Sequence, residues 1–126
     1  VASLSDTAED RALNWLTGNS TTAPTLPLKV ALVTANGSDS AAGTEVTGGS
    51  YTRQNVTFVA SSGGATSNAT DVLFTGMPAA TVVGVEIWDS AGTPVRWWHG
   101  PLTANRTTQA GDELKLAAGE LDLALT

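Results

Sequence analysis

The segment "ATVVGVEIWDS" (Ala80–Ser90) decides the fold. Its bulky residues recur at every second position, so Val83, Val85 and Ile87 share one face of a strand, and Glu86 and Trp88 take the other. Most of them are β-branched or aromatic, which suits a pleated, half-buried surface. The turn "AGTP" (Ala91–Pro94) follows, and then a second strand, "VRWWHG" (Val95–Gly100).

The same alternation recurs outward from this point. "LKVALVT" (Leu28–Thr34) places Leu28, Val30 and Leu32 on one face. "YTRQNVTFVA" (Tyr51–Ala60) places Gln54, Val56 and Phe58 on one side and Tyr51, Arg53 and Asn55 on the other. "DVLFTG" (Asp71–Gly76) is a short strand. In the closing run "LKLAAGELDLALT" (Leu114–Thr126), Leu121, Leu123 and Leu125 alternate with Asp122 and Ala124. "ANGSDSAAGTEV" (Ala35–Val46) reads as a long, mobile loop, and "SSGGATSNAT" (Ser61–Thr70) as a turn-rich one. About seven or eight strands at roughly ten-residue spacing predict a mainly β fold: an antiparallel sandwich or barrel-like domain.

One helix is expected. "SLSDTAEDRALNWLTG" (Ser3–Gly18) brings Leu4, Ala8, Ala12, Trp15 and Leu16 near one face over residues 3–17. Ser3 is the expected cap, with Asp6 three residues on, and Gly18 the stop. So short a helix needs tertiary packing, so Trp15 and Leu16 should dock on the body or on a neighbouring subunit. Residues 19–27 form a polar linker with two prolines. Residues 28–126 form the sandwich, and the whole chain, 1–126, is one domain.

Composition narrows the function. The net charge is -6, and the six basic residues are scattered. A nucleic-acid partner, which needs clustered cations, is therefore not expected. Without cysteine there is no disulfide or thiolate chemistry. The N-terminus is polar and acidic, unlike a signal peptide, and no apolar run approaches the ~20 residues that span a bilayer.

Catalytic constellations are scarce, and no enzyme, metal or cofactor is expected. The single histidine, His99, would have to serve any triad or zinc site, and its plain reading is a strand end. Glu86 and Asp89 make the best carboxylate pair for glycoside hydrolysis, but such residues also belong on a strand's outer face and its turn. "GTEVTGGSYTRQNVTF" (Gly43–Phe58) lacks the lysine and the following helix of a phosphate cradle. Gly48 and Gly49 there suit a turn needing positive φ or close-packed backbone.

The tryptophans point to partners. Adjacent Trp97 and Trp98 must face opposite ways in a strand, so one is core and the other is on a surface. An outward Trp88, Trp97 or Trp98 could stack on a sugar or anchor an interface. Together with Leu4, Trp15, Leu16, Tyr51 and Arg53, these are the candidate partner contacts.

Several of these stretches also carry a family resemblance. "ALNWL" (Ala12–Leu16), "LKVALVT", "GTEVTGGSYTRQNVTF", "GGATSNA" (Gly63–Ala69), "GVEIWDSAG" and "AGDELKLAAGELDLAL" resemble small virion proteins of actinobacterial and other phages, commonly labelled tail fibre proteins. The central glycine-to-phenylalanine run is the most specific piece. The resemblance implies a non-enzymatic structural role in a phage particle without fixing the place, and the expected location is the particle surface. Partners would be other virion proteins (major capsid or tail) and further copies of the chain, with host glycans as a further option. The chain has no shaft-like repeat or coiled coil, which places a capsid decoration protein ahead of a tail component, with a carbohydrate-binding sandwich as the alternative.

Overall fold

A computed structural model describes residues 2–19 and 22–125. Residues 20 and 21 of the expected linker, and the two terminal residues of the expected domain, lie outside the described residues. The order is β1 (Ser3–Leu4), α1 (Asp6–Leu16), β2 (Leu28–Ala35), β3 (Thr44–Glu45), β4 (Gln54–Val56), β5 (Ala65–Ser67), β6 (Val72–Met77), β7 (Ala80–Trp88), β8 (Arg96–Thr108), β9 (Asp112–Leu116) and β10 (Asp122–Ala124). The fold is mainly β with antiparallel sheets and one short N-terminal helix, as the alternation predicts.

The six-stranded sheet runs β1-β8-β7-β2-β3, with β4 also on β2. One of its faces packs on the β6–β9 pair. Val30, Leu32, Val56, Val82 and Val85 there meet Val72, Phe74, Met77, Leu114 and Leu116 in one core. A third pair, β5–β10, lies beside them. Long-range antiparallel pairing therefore defines the domain, with β8 against β7 and β7 against β2 as its spine.

Four expectations need correcting. Between Val82 and Gly84 the β7–β8 register slips, so Val82 joins Val85 in the core in place of Val83, which is only half-buried. A bulge of this kind turns the next side chain to the other face. The helix begins later than expected, because Ser3 and Leu4 pair with His99 and Trp98 as a strand. Ser5 is the actual cap, and its hydroxyl accepts from the Ala8 N–H. Leu125 falls beyond β10 and is exposed.

Glycine geometry explains the turn in "TGGS". Gly48 and Gly49 have φ of +106° and +57°. A Cβ on Gly49 would sit 2.5 Å from the Gly76 carbonyl oxygen. Only glycine permits that approach, so this run turns the chain.

Candidate interaction surface

The half of the six-stranded sheet turned away from the core carries charge, and that charge is used internally. Glu86 is 2% exposed, contrary to its expected outward place. Its Oε2 accepts from Arg96 at 3.2 Å and from the Gly43 N–H at 2.7 Å. Arg96 also donates to the carbonyls of Ser38 and Asp39, and Asp39 pairs with His99 at 2.7 Å. These bonds anchor the 36–43 loop, which the sequence reads as mobile. Gly84 leaves room for this loop, since a Cβ there would lie 1.9 Å from Asn36 Oδ1.

Asp89 is equally committed. It accepts from the backbone N–H groups of Thr25, Ala91 and Val95 and from the Trp97 indole. Burial alone would raise its carboxyl, but these donors outweigh burial and hold it below the usual carboxylate range. Thus, in the carboxylate pair weighed for glycoside hydrolysis, both oxygens of Asp89 and Oε2 of Glu86 accept from structural donors. Among the described residues, no group of three or more His, Asp or Glu is placed to hold a metal ion.

The segment leading into β4 contributes a second network; the strand expected over residues 51–60 is formed only at Gln54–Val56, so Tyr51 and Arg53 precede it. Tyr51 does not face outward as expected: it stacks on Phe74 at 5.9 Å and packs against the core. Its hydroxyl donates to Glu45 and accepts from the Leu32 N–H. Arg53 holds Glu45 with two bonds and lies 4.4 Å over the Trp88 ring. Burial would raise Glu45, yet the bonds from Arg53 and Tyr51 hold it below its ordinary value. Three candidate contacts, Tyr51, Arg53 and Trp88, are therefore brought together, in a network inside the molecule.

The tryptophan pair splits as the strand requires. Trp97 is buried at 8% exposure under α1, with Arg11 5.3 Å over its ring. Trp98 points the other way, half-buried beside Ala65, Leu123 and Leu125. Leu4 pairs in register with Trp98.

Helix α1 is the contrast. It is pinned at its start: the Ser5 N–H donates to the Trp97 carbonyl, the Ser5 hydroxyl to the Arg96 carbonyl and the Asp6 N–H to the Asp39 carbonyl. At its other end Thr17 caps Leu13 within the same segment. Ala8 is its one buried residue. Leu13, Trp15 and Leu16 are 60, 64 and 69% exposed, so Trp15 and Leu16 do not dock on the body. Trp15 lines an open groove of about 320 Å³ with Arg11, Ala12, Ala23, Pro24 and Trp97. Leu13 was not singled out in the sequence, although its place three residues before Leu16 puts it on the same helix flank. Among the described residues, no helix is long and apolar enough to cross a membrane.

The fold is thus a β-sandwich whose buried charges are paired internally and whose one helix leaves apolar side chains exposed. The sequence then gives its lineage. Residues 3–124 match the model of the family described as "Podophage GP4 fiber I protein gp80". The chain belongs to this phage fibre family, and is a virion-associated protein by that membership. No curated protein matches the chain.

Proposed function

We propose that the protein is a non-enzymatic structural module of a phage tail fibre, joined to its virion neighbours through α1. The family match over residues 3–124 is the observation that carries this reading. The exposure of Leu13, Trp15 and Leu16 supports the choice of surface, because apolar patches rimmed by polar residues mark interaction sites. The commitment of Glu86 and Asp89 to internal donors supports a role without catalysis.

The fibre takes precedence over the capsid surface favoured from the sequence, because the family's own description is of a fibre protein. The sugar-stacking alternative has lost two of its platforms, since Trp97 is buried and Arg53 covers the Trp88 ring. Immuno-gold electron microscopy of intact particles tests the reading. Label along the fibres is the expected result. Label on the head would move the protein to capsid decoration, and bare particles would sink both.

A further inference from the structure

We infer that the outward face of α1 receives a segment of another virion protein that carries aliphatic residues beside lysines or arginines. The inference rests on the structural role proposed above and names the chemistry of that partner.

Asp6, Glu9, Asp10, Leu13 and Leu16 fall at three-, four- and seven-residue intervals, so they share one flank of the helix. All five are exposed. The flank is divided lengthwise, with carboxylates on the first turns and leucines on the last. The helix dipole accounts for Asp6 and Glu9 in the first turn. It does not account for two exposed leucines beside an exposed tryptophan.

Charge selects the occupant. Arg53, Arg96 and Arg106 are bound to Glu45, Glu86 and Glu120, and Lys115 lies 4.0 Å from Asp71. Arg11 turns inward over Trp97, and Lys29, which has no ion pair among the described residues, stands as a lone cation on β2. Among the described residues, Asp6, Glu9 and Asp10 have no cationic side chain within salt-bridge distance. A second copy is therefore a poor occupant. Parallel pairing of two α1 helices would oppose carboxylates, and antiparallel pairing would set leucines on carboxylates and strip their water. A segment with aliphatic anchors followed by basic residues satisfies both halves of the flank at once. Such an amphipathic helix laid against an apolar surface is a common recognition mode.

The test uses the full chain and two synthetic helical peptides with leucines at heptad spacing, one with lysines and the other with glutamates at the remaining sites. Binding is followed by calorimetry at low and high salt. The lysine peptide is expected to bind about tenfold more tightly than the glutamate peptide, an advantage lost at high salt. Leu13→Asn with Leu16→Asn should weaken it about a hundredfold. Asp6→Asn, Glu9→Gln and Asp10→Asn together should remove the difference between the peptides. Equal binding of both peptides by the wild-type chain, or lysine-peptide binding that survives the leucine changes, overturns the inference. So does sedimentation showing self-association that the leucine changes abolish. Because the titration needs no particle, its failure is separate from an absence of label on the fibres.

Discussion

The β7–β8 ribbon and helix α1 invert the usual placement of side chains in opposite directions. The ribbon and its turn bury Glu86, Asp89 and Arg96. The helix leaves Leu13, Trp15 and Leu16 in water. The first inversion is self-contained, because every buried charge there meets a bonded partner. The second has no partner within the described residues. A buried ion pair contributes less to net stability than its geometry suggests, but breaking it is costly. The exposed leucines of α1 contribute little to folding and leave an apolar surface open to contact. The molecule thus divides into a ribbon that locks itself and a helix with surface to spare.

The largest way to break this contrast is Arg96→Met. It leaves the Glu86 carboxylate buried without its ion partner and frees the 36–43 loop. A loss of about 3–5 kcal/mol in urea unfolding is expected. Adding Glu86→Leu should recover much of it, since an apolar pair of similar volume removes the orphan charge. Failure of Arg96→Met to destabilise would mean that the lock is decorative.

Asp89→Ala comes next. It leaves several donors without their acceptor, and about 2–3 kcal/mol should be lost. Acid sharpens this prediction. The carboxyls of Asp89 and Glu45 are both depressed in the folded state. Their contribution is therefore complete above their unfolded values near ~4 and is lost as pH falls below that through the folded values. Thermal melts from pH 6 to pH 2 should drop steeply at the acid end in the wild type, and less steeply in Asp89→Ala.

Tyr51→Phe is smaller. The stacked ring remains, but the hydroxyl that joins the Leu32 N–H to Glu45 disappears. Roughly 1–2 kcal/mol in denaturant unfolding is expected. The smallest effect belongs to α1. Leu13→Asn with Leu16→Asn should leave stability within about 0.5 kcal/mol per site, because exposed positions rarely matter to folding.

The contrast also shows how far the sequence could be read. Strands β2 and β7 declare themselves by runs of bulky aliphatic residues at mostly alternate positions, and the antiparallel sandwich follows. Strands β1 and β5 do not, because Ser3–Leu4 and Ala65–Ser67 are too short to show a period of their own. Their pairing depends on His99, Trp98 and the distant β10. Glu86 looked outward because alternation assigns a face without saying what covers it. Its cover is a loop some forty residues upstream, held by Arg96. The juxtaposition of Gly84 with Glu86 in an otherwise apolar strand was the available signal, since a missing side chain beside a charge leaves room for another segment. For α1 the apolar stripe was legible, but its docking direction was not. Ala8 points inward and the larger residues do not, which depends on Ser5 pinning the helix start to β8.

The most direct measurement joins folding and assembly in one variant. The chain with Leu13→Asn and Leu16→Asn should melt near the wild-type temperature, yet be missing from particles grown with it as the sole copy and probed by immuno-gold microscopy. A variant that melts normally and still labels the fibres would contradict the role given to α1, as would one that unfolds several kcal/mol sooner, because the helix would then belong to the body of the fold.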